Sequence, residues 1–295
     1  MGDVELPDTG WKWLSNGAEE LVASTLYLVG TPIGNLGDLS YRARWILSAV
    51  DVIFAEDTRV TSSLLRQVDI ARRPLERFSP FDLEGSIAKV IGYLQSGSRV
   101  AFVSDAGMPS ISDPGSGLGP RVRSEGFQVR VVPGPTAESA AVALGGAIAG
   151  GYIFVGFLPT SKAKIAEILK SAKSLDYGVV FYVAPHDLRK VLNSLSELGV
   201  ASLAVIREMT KLYEEVIDGA IDEIVSHFSR VDPRGEFVVT IEASAIEDQQ
   251  IGPSEAKQVF DILVSTEATT AEKAKKVSKL MGLDRGEVYD LLRRL

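Results

Sequence analysis

Asp105 stands in Val103-Ser104-Asp105-Ala106-Gly107, directly after an apolar run and before two small residues. A carboxylate there can accept hydrogen bonds from the ribose or amine of a bound nucleoside. It can equally close an Asx-turn in its own loop. Asp113, before Pro114, has the same two readings, with the turn favoured. Glu56-Asp57-Thr58-Arg59 gathers two carboxylates and a guanidinium after another apolar run. Past a strand end of an open α/β sheet such a group faces the ligand. On a plain surface it is an ion-pair cluster worth little. Arg207, Glu208 and Lys211 read first as an ion-pair network. His186, after Pro185, could be a general base or an RNA contact, but a helix cap or surface role is favoured.

Three loops rich in Gly and Pro surround these residues. They are Gly30-Thr31-Pro32-Ile33-Gly34-Asn35, the segment from Ser104 to Gly115, and Pro133-Gly134-Pro135-Thr136-Ala137, each after a β-branched apolar run. Glycine lets a backbone approach a ligand closely, and proline holds a loop in one shape. One such loop is usually a tight turn. Three at strand ends point to a nucleotide-like small molecule held largely by main chain. The first loop has glycines at 30, 34 and 37 and so lacks the dinucleotide fingerprint. No Gly-Lys-Ser/Thr occurs, so a phosphate-binding P-loop is excluded too.

Composition narrows the chemistry further. The 295 residues include no cysteine and only two histidines, His186 and His227. Disulfides, thiolate metal sites and a cysteine nucleophile are excluded, and no metal is expected. A formal net charge of −8 disfavours indiscriminate nucleic-acid binding. A local basic run remains near the end, at Lys273, Lys275, Lys276, Lys279, Arg285, Arg293 and Arg294. A solvated helix face is its default reading. No apolar run reaches the ~18 residues of a membrane span. Residues 1–24 are mostly polar and lack a secretory pattern, so a cytoplasmic protein is expected, or an organellar one had a targeting peptide been removed.

The elements that must position these loops follow from periodicity. Apolar runs predict strands at 25–29, 51–55, 99–104 and 129–132. Helical spacing falls between them, in a helix capped by Asp38 or Ser40, then at 61–67, 86–95 and 136–148. That alternation predicts a mostly parallel sheet. Ala149-Gly150-Gly151 reads as a hinge. Beyond it, strands at 152–157, 179–183, 203–207, 213–217 and 236–241 and helices at 162–172, 186–198 and 221–228 predict a second α/β domain with a mixed sheet. Residues 247–295 turn all-helical, at 254–264, 270–281 and 284–292, with Thr270 and Asp284 as N-caps and Gly282 as a C-cap. A helix-turn-helix and a small packed bundle fit that end equally. The expected domains are therefore 25–149, 150–246 and 247–295, after the extension at 1–24.

Val29-Gly30-Thr31-Pro32-Ile33-Gly34-Asn35-Leu36, Ala55-Glu56-Asp57-Thr58-Arg59 and Val103-Ser104-Asp105-Ala106-Gly107 together resemble one family. Phe154-Val155-Gly156-Phe157-Leu158-Pro159 and Arg207-Glu208-Met209-Thr210-Lys211 extend the likeness. The family is ribosomal RNA small subunit methyltransferase I, in the tetrapyrrole methylase superfamily. The resemblance runs from about residue 25 to 244, and the final helices resemble the family's small C-terminal domain. It implies a two-domain α/β fold with the cofactor S-adenosyl-L-methionine between the domains, usually as a homodimer. It also implies 2′-O-methylation of a cytidine ribose in the decoding centre of small-subunit (16S) rRNA.

By position in that family, Gly30, Thr31, Pro32, Gly34, Ser104, Asp105, Ala106, Gly107, Pro133, Gly134, Thr136 and Ala137 line the cofactor, with Tyr182, Val183 and Ala184 at a later strand end. Asp57 and Glu56 are candidates for taking the ribose proton or holding the ribose. Arg59 and Lys211 are candidates for phosphate, and Asn35, Asp113 and His186 for other substrate contacts. The chain departs from the family pattern at Phe78-Ser79-Pro80-Phe81-Asp82, where a His- and Glu-containing stretch is usual. It departs again at Phe181-Tyr182-Val183-Ala184-Pro185-His186-Asp187, where Glu and Arg are usual in place of Val183 and Asp187. A tetrapyrrole-like small-molecule methyltransferase and a non-catalytic ribosome-binding relative are the competing expectations. The basic end helices and the Glu56–Arg59 cluster argue against the small-molecule reading.

Overall fold

The computed structural model describes residues 21–111, 114–145, 150–246, 259–263, 268–281 and 285–294. They divide into two compact units. The first holds the described residues up to Leu144 together with Ile206–Val216 and Gly235–Val238, and the second holds the rest.

The first unit is built on β1 (Thr25–Val29), β2 (Val52–Ala55), β3 (Leu75–Arg77), β4 (Val100–Val103) and β5 (Gln128–Val132). They pair in the order β3-β2-β4-β1-β5, and every pairing is parallel. Strand alternation sorts the core into two faces. Tyr27, Val29, Ile53, Ala55, Ala101 and Val103 point to one face, with Ala43, Ile46 and Leu47 of the helix Tyr41–Ala49 and Leu65 of the helix Thr58–Gln67. Leu26, Val52, Phe54, Val100 and Phe102 point to the other, with Ile87, Val90 and Leu94 of the helix Leu83–Gln95 and Leu118 and Val122 of the helix Leu118–Ser124. The connections from β1 to β2 to β3 thus cover one face and run one way along the sheet. Those from β3 to β4 to β5 cover the other face and run back. β1 and β4 are neighbours whose outgoing chains go to opposite faces, the switch point at which open parallel sheets bind ligands.

Several boundaries differ from the sequence-based expectation. Ser40, not Asp38, caps the helix Tyr41–Ala49, its hydroxyl accepting from the Ala43 N–H at 3.1 Å. Capping by Asp57 and Asp82 starts the next two surface helices three residues early, at Thr58 and Leu83. β3 escaped the pattern because Leu-Glu-Arg has no apolar run and pairs with β2 alone. The helix Leu118–Ser124 escaped because Gly119 and Pro120 fall in its first turn. Of the predicted helix 136–148, Ala137–Gly145 is helical and 146–148 lie outside the described residues.

The second sheet runs β6-β7-β10-β8-β9, with β6 (Tyr152–Phe157), β7 (Gly178–Val183), β8 (Ser202–Arg207), β9 (Glu215–Ala220) and β10 (Phe237–Ile241). β6 and β7 are parallel, with a register shift between Phe154 and Phe157 where Gly156 takes φ +65°. β9 lies later than the predicted 213–217, because residues 210–214 form a turn closed by the Glu214 carboxylate on the Thr210 N–H at 2.6 Å. Helices Lys162–Leu175, Pro185–Glu197 and Ile221–Arg230 accompany these strands.

Near the end, Ala274 and Val277 of the helix Thr270–Met281 and Val288 of the helix Arg285–Arg294 share a core with Val259, Ile262, Leu263 and Leu292. These helices therefore form a small packed bundle. Thr269 rather than Thr270 is the cap. Its hydroxyl accepts from the Glu272 N–H at 3.3 Å, and the Glu272 carboxylate accepts from the Thr269 N–H at 2.8 Å, a reciprocal capping box. The expected caps Gly282 and Asp284 lie outside the described residues.

Candidate active site

The three glycine loops leave the carboxyl ends of β1, β4 and β5, which are adjacent in the sheet. Thr31 and Gly107 exchange two backbone hydrogen bonds, 2.9 and 3.1 Å long, joining the first loop to the second. The Thr31 hydroxyl donates to the carbonyls of Ser104 and Gly107, and the Ser104 hydroxyl to those of Ala106 and Gly107, all at 3.3–3.4 Å. Both side chains are buried. Thr31 staples the two loops together and Ser104 braces its own, so main chain, not hydroxyls, faces the crevice. Gly107 takes φ +79°, a conformation that favours glycine.

The first and third loops touch through backbone. The Gly30 N–H donates to the Val132 carbonyl at 3.0 Å. A Cβ on Gly30 would lie 2.6 Å from the Gly134 Cα, inside any tolerable contact. Met108 wedges beside them, its sulfur accepting from the Gly134 N–H at 3.2 Å. Met108 was passed over in the sequence because nothing in its spacing marks it as a strut between loops. Thr136 starts the helix Ala137–Gly145, its hydroxyl 2.6 Å from that of Ser139. Pro32 and Pro133 shape the loops at partly buried and exposed positions. Asn35 caps a short turn, accepting from the Gly37 N–H at 2.9 Å, so its side chain serves its own loop.

Asp105 and Asp57 are brought together. The exposed Asp105 carboxylate accepts the Asp57 N–H at 3.0 Å, tying the second loop to the end of β2. Asp57 caps the helix Thr58–Gln67 through the Arg59 N–H at 2.8 Å and pairs with the Arg59 guanidinium. The side-chain hydrogen bond from Arg59 holds the Asp57 carboxyl far below the usual carboxylate range. A carboxylate so stabilised is a weak base. Glu56 is partly buried beside it.

Lys211 belongs to the same unit. Its ammonium lies 2.9 Å from Glu208 and 2.9 Å from Glu236. Partial burial works against its charge, but the Glu236 and Glu208 carboxylates together outweigh it and raise Lys211 above the ordinary lysine value. Burial likewise opposes ionisation of Glu208, yet the Lys211 hydrogen bond and the Glu236 N–H lower it below the usual value. The first loop backs onto this turn: a Cβ on Gly34 would lie 2.6 Å from Lys211 Cγ and 3.0 Å from the Met209 carbonyl.

Tyr182, Val183, Ala184 and His186 belong to the second unit. The Tyr182 ring packs edge-on to Phe154 and Phe157, at 5.0 and 5.6 Å. Val183 is buried, and Ala184 precedes the helix Pro185–Glu197, with proline in its first turn. The His186 side chain is 80% exposed and 3.4 Å from Asp187. Asp113 lies outside the described residues. Among the described residues no group of three His, Asp or Glu could hold a metal, and no helix is long and apolar enough to cross a membrane.

Comparison with known proteins identifies the family. Residues 25–225 match the family described as Tetrapyrrole (Corrin/Porphyrin) Methylases. A "Ribosomal RNA small subunit methyltransferase I" of Bacillus subtilis (strain 168) is 37% identical over 273 residues, 90% of this chain and 92% of that protein. The chain belongs to this family. Its counterpart in Thermotoga maritima is 42% identical over 217 residues, 73% of this chain and 97% of the other. Among solved structures, diphthine synthase aligns with a TM-score of 0.59 at 13% identity, covering 76% of this chain and 91% of that one. Cobalt precorrin-4 methyltransferase aligns at 0.54 and 15% identity, covering 76% and 97%. These two share the fold. This chain is thus a methyltransferase of the tetrapyrrole methylase family, and its cofactor is S-adenosylmethionine.

Proposed function

We propose that this methyltransferase, as a homodimer, transfers a methyl group from S-adenosylmethionine to the 2′-hydroxyl of a cytidine in the decoding centre of small-subunit rRNA, presented as rRNA or in the assembled small ribosomal subunit. The observation that carries the rRNA substrate is the 37% identity to a ribosomal RNA small subunit methyltransferase I across nine-tenths of both chains. The geometry of the first unit supports the cofactor site. Main chain from three adjacent strand ends, cleared of side chains at Gly30, Gly107 and Gly134, makes a cradle for a nucleoside with many polar edges. Asp105 adds an exposed carboxylate at its rim.

S-adenosylmethionine, when bound, supplies a methyl group already activated by its sulfonium. The chain's residues must orient the nucleophile and shed its proton. Alignment of that kind is worth about 7–11 kcal/mol in favourable cases. In this reading Gly30, Thr31, Pro32 and Gly34 hold the cofactor with Ser104–Gly107, Pro133, Gly134, Thr136 and Ala137. Asp57 positions Arg59 and the helix start rather than taking a proton, since its charge is already satisfied by Arg59. Glu56 then takes the ribose proton, and Arg59 faces phosphate. Lys211, held by two carboxylates, fixes the turn behind the first loop.

The test is incubation of the purified protein with methyl-labelled S-adenosylmethionine and small ribosomal subunits lacking the modification, followed by nucleoside analysis. Label is expected in 2′-O-methylcytidine. Label in another nucleoside, or in none, overturns the assignment.

A further inference from the structure

We propose that a cleft along the helix Thr58–Gln67 is the track on which this enzyme seats the phosphodiester backbone of its RNA substrate. The inference rests on the rRNA reading above and assigns it a surface outside the glycine loops. Thr58, Arg59, Ser62, Ser63, Arg66 and Arg72 line an open cleft of about 480 Å³. Positions 59, 62, 63 and 66 are spaced i, i+3, i+4, i+7, so they share one helix face over roughly 10 Å of axis. Thr61 and Leu65 on the opposite face are buried in the core, which fixes the polar face outward. Arg72 arrives from the segment leading into β3 and closes the cleft from the far side.

The charge balance makes this cleft distinctive. The chain carries a net charge of −8, yet three guanidiniums and three hydroxyls converge here. Among the described residues Arg66 and Arg72 have no carboxylate partner. Guanidinium groups flanked by hydroxyls form the donor set that holds phosphate oxygens. Leu75 adds an apolar patch to a wall otherwise made of arginines and hydroxyls, and the cleft follows roughly 10 Å of helix axis, longer than one phosphate, which fits an extended strand with sugar and phosphate along it. It begins at Thr58, directly after Glu56 and Asp57 at the end of β2. A strand seated there leads toward the residues proposed to handle the ribose. The alternative role for Arg66, complementing the carbonyl end of its own helix, would affect stability and not RNA.

The test uses the full chain and the double variant Arg66→Gln/Arg72→Gln. The control Lys164→Gln/Lys170→Gln removes the same charge from exposed positions on the helix Lys162–Leu175. Binding of a fluorescein-labelled single-stranded oligoribonucleotide is measured from 50 to about 300 mM salt, alongside methylation of small subunits. The arginine variant should bind RNA at least about tenfold more weakly at low salt. Its salt slope should flatten by about 1.4, at roughly 0.7 per phosphate on a single strand. Its melting temperature and cofactor affinity should stay put, and the lysine control should match wild type. If wild type methylates small subunits while the arginine variant keeps its RNA affinity and slope, the track is wrong and the rRNA reading stands. If wild type neither binds nor methylates RNA, the rRNA reading fails and the track with it. A competition arm with inorganic phosphate at matched ionic strength identifies the occupant. Phosphate binding that depends on Arg66 and Arg72 while RNA binding does not would make the cleft a site for free phosphate and overturn the proposal.

Discussion

The Asp105 carboxylate accepts the backbone N–H of Asp57 at 3.0 Å, across 48 residues of sequence. One hydrogen bond thereby locks the loop after β4 to the end of β2, and so couples the cofactor cradle to the Glu56–Arg59 cluster. Asp105→Ala should weaken S-adenosylmethionine binding by about tenfold or more, since hydrogen bonds to a charged group contribute roughly 1.5–3 kcal/mol. Asp105→Asn keeps an acceptor and should recover most of the loss. Calorimetric titration of both variants is the check, and wild-type affinity in Asp105→Ala would remove Asp105 from the site.

Gly30→Ala and Gly134→Ala should each be severe. Each new methyl meets backbone of the other loop, at 2.6 and 2.8 Å, and backbone cannot rotate aside. Overpacking of this sort typically costs about 1–3 kcal/mol. A lower melting temperature together with a larger loss of cofactor affinity is expected. Gly92→Ala, on an open helix surface with nothing within 4 Å, should be neutral or slightly stabilising. Equal behaviour of Gly30→Ala and Gly92→Ala would mean the loops do not approach as described.

The Glu208–Lys211–Glu236 group should shape the pH dependence of stability. Glu208 titrates below its ordinary value of 4.5 in the folded state. Its contribution is therefore full above that value and lost as pH falls through the lower folded one. Lys211 titrates above its ordinary value of 10.5, so its contribution is full below 10.5 and lost as pH rises through the higher folded one. Melting temperatures across pH should show Glu208→Gln with a shallower acid limb than wild type, and Lys211→Met with a shallower alkaline one. Near pH 7 Lys211→Met should cost about 1 kcal/mol, as it leaves two carboxylates without their cation. Identical pH limbs in the variants would show that the group contributes nothing.

In the terminal bundle, Lys273 is used internally, its ammonium donating to the Leu263 carbonyl at 2.8 Å. Lys275, Lys276 and Lys279 are exposed. Lys273→Met should lower the stability of the bundle by roughly 1 kcal/mol. The triple change of Lys275, Lys276 and Lys279 to Gln should leave melting unchanged and flatten the salt dependence of binding to small subunits. Melting and salt titration on the full chain separate the two roles; an unchanged salt slope in the triple variant makes that face merely solvated.

Much of the fold was legible because burial on both sides of a parallel strand forces continuous apolar runs. Thr25–Val29, Val52–Ala55 and Val100–Val103 each stand out for that reason, and the glycine loops after them mark the crevice. The site was legible at the level of its loops, because only Gly30, Gly107 and Gly134 tolerate the approach and dihedrals those loops require. The i, i+7 pairing of Arg59 and Arg66 was also present in the sequence, since helical spacing is local.

Contacts across long separations were decided by tertiary structure alone. Sequence patterns report local periodicity and burial, whereas the partner of a polar group depends on which strand ends the topology makes neighbours. Thr31 turned inward as a staple because the order β4-β1-β5 sets its loop beside the one after β4. The Asp57 N–H met the Asp105 carboxylate, 48 residues on, because β2 and β4 are neighbours in the sheet. Arg72 joined Arg59 and Arg66 only when the return toward β3 folded it across the helix. The sequence determined which residues could serve as loops, caps and charges; the sheet order determined which of them meet.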